Sequence, residues 1–189
     1  MCGIAGIYSH KSVASELYES VVHLQHRGTD AAGIMTYDDR MHKHKGLGLA
    51  RDVFTEDSIS LLKGNVGISH NRYPTHGEFG HGEVQPVWTS IPYGIAIAHN
   101  GQITNYDELV EEVTKKEKRY LNTTSDTEVL LHILAKELNQ DGTPETSEEF
   151  FDVLCDAISE LFKKVRGAYS ITALIVGKGL VVFRDPRGI

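Results

Sequence analysis

The sequence predicts an α+β fold with largely antiparallel sheets. Strand-like runs occupy both ends of the chain and helix-like runs the middle, without the regular strand–helix alternation of a parallel sheet. The strand candidates are joined by short hairpin-like connections, and Asn100-Gly101 is the strongest two-residue hairpin signal in the chain.

The elements follow in order. Cys2 to Tyr8 is a short apolar, glycine-punctuated run that reads as a strand. Ser15 to Leu24 has helical spacing, with Leu17, Val21, Val22 and Leu24 toward one side. His26 to Asp30 is a polar turn, followed by strand candidates at Ala31 to Tyr37 and Met41 to Lys45. Thr55 is a fitting N-cap for a short helix reaching Leu62. Val66 to His70 reads as a strand, and Arg72 to Pro86 as a loop rich in glycine and proline. Tyr93 to Ala98 has a buried-strand pattern, closed by the Asn100-Gly101 turn. Helices are predicted at Tyr106 to Lys116, Asp126 to Leu138 and Ser147 to Lys164, and final strands at Ala168 to Val176 and Gly179 to Arg184. The chain stops inside a turn-like segment, Arg184 to Ile189, and so reads as a piece of something longer.

Bulk properties narrow the function classes. With 189 residues, the chain is the size of one domain and can bury a core. The net charge of −7 argues against nucleic acid or an anionic membrane as the main partner. No apolar run approaches the ~20 residues that span a bilayer, and the N-terminus lacks a secretory pattern. Two cysteines, Cys2 and Cys155, do not make a disulfide framework, which suits a reducing cytoplasm. Ten histidines invite a metal reading at His42 with His44, or at His70, His76, His81 and His99, but none has a paired ligand spacing. No metal is expected, and Cys155 is read as a buried helical thiol.

Cys2 carries the most chemistry. Removal of Met1 would place a thiol and a free α-amine on one residue, and an α-amine with a pKa of roughly 7.7–8.0 can serve as a general base. A thiol activated by its own chain terminus needs no separate histidine. Taken alone, Cys2 reads sooner as a small residue opening a buried strand than as a nucleophile.

Several motifs in one order weigh against that simpler reading. Cys2-Gly3-Ile4-Ala5-Gly6-Ile7 resembles the opening of the class II glutamine amidotransferases. Leu24 to Ile34 resembles that family's "LQHRGQDAAGI" segment, with Thr29 in place of Gln. Gly67 to Thr75 resembles its glutamine loop, followed by Gln85-Pro86. His99-Asn100-Gly101 with Asn105, and Thr124 to Glu128, are similar to its "HNG…N" and "TSDSE" motifs. Within the class, Lys45 to Gly48, Asp52 to Phe54 and Arg184 to Pro186 look like the branch that acts on phosphoribosylpyrophosphate. The "YRGYDSAGI" of glucosamine-6-phosphate synthases and the "HRGPD" of asparagine synthetases fit less well.

The resemblance implies the N-terminal-nucleophile hydrolase fold, a four-layer α/β/β/α sandwich of mostly antiparallel sheets, with residues 2–189 as the glutaminase domain. It implies that Cys2 forms a γ-glutamyl thioester while Asn100 and Gly101 bind the oxyanion. Arg72 would pair with the substrate α-carboxylate and Asp126 with its α-ammonium. Thr75 would support the carboxylate end, and Arg27 would brace the turn near the nucleophile. Glutamine is then the substrate, with no cofactor in this domain. Released ammonia would convert phosphoribosylpyrophosphate to 5-phosphoribosylamine, the first step of purine synthesis, in a C-terminal phosphoribosyltransferase domain that uses Mg2+ and belongs to a homo-oligomeric whole. The alternatives are another acceptor, as in glucosamine-6-phosphate or glutamate synthase, or a non-catalytic glutamine-binding domain if Met1 is retained. The chain departs from the pattern after Thr75, where His76 to Gly82 replaces the usual Ala-Gly-Ser-Ser; its glycines suit a lid over the site, and no role is assigned to His76 or His81.

Overall fold

The computed structural model describes residues 1–73, 81–139 and 144–188. Among these residues, eight strands form two sheets. Strands β1 (Gly3–Tyr8), β2 (Ala31–Tyr37), β3 (Met41–Leu47) and β4 (Val66–Arg72) build the first, in the order β1-β4-β2-β3. Strands β5 (Val87–Thr89), β6 (Ile95–Ile103), β7 (Gly167–Ile175) and β8 (Gly179–Arg184) build the second, in sequence order. All these pairings are antiparallel.

Three apolar clusters make the layers. Val66, Ile68, Met35, Ala96, Ala98 and Leu174 meet between the sheets. Helices α1 (Ala14–His23), α2 (Ala50–Val53) and α3 (Glu56–Ser60) bury Leu17, Val21 and Ala50 with Ala32 and Ile34 on the outer face of the first sheet. Helices α4 (Tyr106–Glu111, continuing as a π turn over Glu112–Lys116), α5 (Asp126–Glu137) and α6 (Ser147–Lys164) cover the second sheet, burying Leu130, Leu134, Leu154 and Leu161 against Ile95, Ile97 and Ile171. The result is the expected α/β/β/α sandwich. Side-chain alternation along a strand sorts β6 between two cores: Ile95, Ile97 and Ile103 face the helices, while Ala96 and Ala98 face the other sheet.

Local signals account for the helix ends. Thr55 and Thr146 each accept a bond from the backbone N–H three residues on and donate their own N–H to that residue's side chain, making capping boxes for α3 and α6. Ser125 caps α5, which places Asp126 at its first helical position.

The structure corrects four readings. Asn100-Gly101 is no hairpin turn, because β6 runs through it to Ile103 in register with β7. A type I′ turn needs positive φ at both central residues, and of this pair only Gly101 has it, at 151°. The turn into β6 is instead Tyr93-Gly94, with φ of 60° and 75°. Cys155 is exposed: the buried stripe of α6 is Phe150, Leu154, Ala157 and Leu161, and the next position after Leu154 turns away from it. Val22 likewise points outward from α1, whose buried face is Ala14, Leu17 and Val21. The polar segment after α1 begins as a 3-10 helix over Leu24–Arg27. Two short elements, α2 and β5, carried too little periodicity to be read from sequence.

Candidate active site

The site forms where the two sheets meet at the start of β1 and the end of β4. Asn100 lies on the same face of β6 as Ala96 and Ala98, so its side chain crosses the gap toward the first sheet. There its Oδ1 accepts a hydrogen bond from the Cys2 nitrogen at 3.1 Å. With Oδ1 engaged, the amide Nδ2 is the donor left to face an incoming group. The Tyr73 N–H is directed at Cys2 Sγ from 3.5 Å, and Arg27 Nε donates to the Cys2 carbonyl at 3.0 Å.

This convergence depends on Gly28. A Cβ there would lie 2.4 Å from the Arg72 carbonyl carbon and 2.7 Å from the Tyr73 nitrogen. Only a residue without a side chain lets the 3-10 turn press against the end of β4, and Asp30 N–H then bonds the Arg72 carbonyl at 3.1 Å.

Among the described residues, β5 pairs with β6 at Ile95 to Ile97 and no strand lies along that edge of β6 beyond this point. His99 N–H on this edge donates to Gln85 Oε1 at 2.7 Å, and Ile103 N–H donates to the Asp126 carboxylate. Strand periodicity puts the Gly101 N–H between these two, on the same side. It thus stands beside Asn100, on the side where the expected oxyanion role would use it. Gly101 cannot be replaced there: a Cβ would lie 2.1 Å from the Ala168 oxygen.

The two charged residues expected to hold an amino acid, Arg72 and Asp126, are each engaged by neighbouring side chains. Arg72 pairs with Glu83 at 3.4 Å, and Glu83 is itself bonded by the Thr124 hydroxyl at 2.6 Å. Asp126 Oδ1 is 3.5 Å from His99 Nδ1 and 3.4 Å from the Thr127 hydroxyl. Burial pushes the Asp126 carboxyl up, but His99 and the Ile103 and Thr127 N–H groups outweigh it and hold it below its usual value. The contacts form separate links: Cys2 with Asn100 and Tyr73, Arg72 with Glu83 and through it Thr124, and His99 with Asp126.

The structure therefore joins Cys2 directly to Asn100 and Arg27, with Gly101 and Arg72 next in the chain to Asn100 and Tyr73, and sets Asp126 against His99 on the other face of β6. Thr75, His76 and the lid expected from His76 onward fall outside the described residues, apart from the backbone of His81 and Gly82. Asn105 is structural, bonding the Lys164 carbonyl and the Arg166 N–H, both at 2.9 Å. Sequence reasoning missed Glu83 and the Tyr73 N–H, since a lone Glu in a loop and a backbone donor leave no motif. Among the described residues, the cluster with metal-ligand spacing is Asp38, Asp39 and His42, on the exposed β2–β3 turn. No helix of the described residues is long and apolar enough to cross a membrane.

A family model for the glutamine amidotransferase domain matches residues 78–189, more than half of the chain. The chain belongs to this family. The amidotransferase domain is 46% identical, over its whole length, to the amidophosphoribosyltransferase of Haemophilus influenzae, and 43% identical to that of Saccharomyces cerevisiae. It spans 37% of the first relative and 38% of the second. The solved structure of the B. subtilis glutamine phosphoribosylpyrophosphate amidotransferase, complexed with ADP and GMP, superposes with a TM-score of 0.79 at 30% identity, covering 99% of this chain and 38% of that one. Together these matches extend the relationship across Cys2, which the family model leaves out.

Proposed function

We propose that this domain hydrolyses the side-chain amide of glutamine, with Cys2 as nucleophile, and supplies ammonia for the conversion of phosphoribosylpyrophosphate to 5-phosphoribosylamine. One observation carries the amide step: the Cys2 nitrogen sits 3.1 Å from Asn100, so nucleophile, terminal nitrogen and oxyanion donor share one point. The whole-length likeness to amidophosphoribosyltransferases supports the acceptor and, with it, a role in purine synthesis.

With Met1 attached, the Cys2 nitrogen is a peptide N–H and no base. Once Met1 is removed, the same nitrogen becomes an amine held at Asn100 Oδ1. The amine takes the thiol proton as Sγ attacks the carboxamide carbon. Asn100 Nδ2 and the Gly101 N–H carry the oxyanion, and the protonated amine returns its proton to the departing ammonia. Water then cleaves the thioester, giving glutamate and the free thiol. Arg72 binds the α-carboxylate in exchange for part of its contact with Glu83, Asp126 binds the α-ammonium, and Thr75 supports the carboxylate end. Arg27 holds the Cys2 carbonyl and so the direction of the chain terminus.

The acceptor reaction, its Mg2+ and a homo-oligomeric assembly belong to a phosphoribosyltransferase domain joined to this one in the longer protein. The amide-cleaving step, as drawn, uses protein groups alone.

Three measurements test the reading: intact mass for loss of Met1, labelling by 6-diazo-5-oxo-norleucine located by peptide mapping, and glutamate release. The expected outcome is one label on Cys2 of the processed protein and no hydrolysis in Cys2→Ala. Hydrolysis that survives Cys2→Ala overturns the mechanism. A processed protein that binds glutamine without releasing ammonia, even with phosphoribosylpyrophosphate present, is a regulatory domain instead.

A further inference from the structure

We propose that His99 is a positioning residue for the site of the glutamine α-ammonium, acting through the Asp126 carboxylate. The proposal rests on Asp126 holding that ammonium. His99 sits on β6 between Ala98 and Asn100, and its ring points the opposite way from Asn100, toward the first turn of α5. It is 2% exposed, so each polar contact it makes has been withdrawn from water.

The hydrogen bonds around it determine which way its proton points. Gln85 bridges strand and helix, accepting the His99 N–H at 2.7 Å and donating from Nε2 to Thr127 Oγ1 at 2.9 Å. The Thr127 hydroxyl hydrogen goes to Asp126 Oδ1 at 3.4 Å. Thr127 Oγ1 then has one lone pair left for His99 Nδ1, 3.2 Å away, so Nδ1 is the protonated nitrogen. The same N–H faces Asp126 Oδ1 at 3.5 Å. His99 and Thr127 thus both present donors to a single carboxylate oxygen.

Asp126 needs such support. It occupies the first position of α5 with 27% of its side chain exposed, where a short carboxylate can turn either to the backbone or to solvent. Donors from His99, Thr127 and the Ile103 N–H select one rotamer and keep the group ionised. A histidine that merely filled the space between β6 and α5 would not need its Nδ1 between two oxygens.

The test uses the intact protein with processed Cys2. His99→Leu keeps roughly the volume and removes the donor, whereas His99→Asn can place an amide N–H near the position of Nδ1. Glutamine hydrolysis is measured with two alkylation reactions at Cys2, one by 6-diazo-5-oxo-norleucine, which carries an α-ammonium, and one by iodoacetamide, which does not. Loss of a bond to a charged group predicts that His99→Leu raises the glutamine KM and the half-saturating diazo-oxo-norleucine concentration by about 10-fold or more. Limiting kcat and the iodoacetamide rate stay near those of the parent, and His99→Asn recovers most of the affinity. Thr127→Val, which removes the hydroxyl between His99 and Asp126, shifts KM in the same direction, and with His99→Asn it decides the matter if His99→Leu does not fold. The proposal is overturned if folded His99→Leu binds glutamine normally, if Asn and Leu behave alike, or if iodoacetamide labelling slows in parallel. Asp126→Asn separates the two levels: an unchanged KM there removes the ammonium assignment itself.

Discussion

Gly101 joins backbone geometry to chemistry at a single atom. Its φ of 151° and the 2.1 Å separation between a built Cβ and the Ala168 oxygen both require a hydrogen where other residues have a side chain. Gly101→Ala adds backbone strain to a clash with main chain that cannot rotate away, about 3–5 kcal/mol in total. The expected drop in melting temperature is roughly 6–20 °C by calorimetry, with loss of glutamine hydrolysis. Asn100 has the complementary behaviour. Asn100→Ala leaves the strand intact, so stability changes little while kcat falls by about 100-fold or more in a glutamate-release assay. A parallel loss of stability in Asn100→Ala would assign the side chain to packing instead of to the oxyanion.

At the scale of elements, β6 and α5 divide the work. Consecutive residues of β6 point to opposite faces, so Asn100 reaches the nucleophile across the sheets while His99 reaches Asp126 beneath the helix. The caps of α5 and α6 then predict a contrast. Thr146 opens α6 far along the chain from the site, and Thr146→Ala is expected to cost about 1 kcal/mol by chemical denaturation and leave KM alone. Ser125 caps the turn that carries Asp126, so Ser125→Ala at a similar stability cost is expected to raise the glutamine KM as well. Equal KM values in the two variants would show that Asp126 is aimed without help from its cap.

For the molecule as a whole, the packing of sheet on sheet buries histidine as well as hydrocarbon. His70 is fully buried and follows Ile68 on the inter-sheet face of β4. Burial first, with the nearby Arg72 and Lys45 charges adding to it, lowers its pKa to about 3 against an opposing backbone contact at His99. An unfolded histidine titrates near 6.5, so from about pH 6.5 down toward pH 3 the unfolded chain gains a proton that the folded one refuses. Stability contributed by neutral His70 is therefore complete above about pH 6.5 and lost progressively below it, by up to about 1.4 kcal/mol per pH unit. His70→Gln removes that proton from the balance, and urea melts at pH 7, 6, 5 and 4 should show a shallower acid slope than the parent. An unchanged slope would mean that His70 is protonated in the folded state.

Periodicity and composition by themselves determined the α+β class, the boundaries of β2, β8 and α6, and the capped start of α3, because these depend on local spacing and local hydrogen bonds. The ordered motifs also named Cys2, Asn100, Gly101, Arg72, Asp126 and Arg27, of which the fold sets Asn100 and Arg27 directly against Cys2. Asn100-Gly101 shows the limit of that reading. As a dipeptide it is a turn signal, and only pairing with β7 over nine residues, a tertiary effect, holds it extended. Cys155 was misjudged for a related reason, since one step around a helix separates core from solvent and the partner surface alone says which is which. The tertiary structure also decided what Glu83, Tyr73, Gln85 and His99 do. Their contacts span from 11 to 71 residues of chain and join backbone groups to side chains, and no local pattern encodes such a distance.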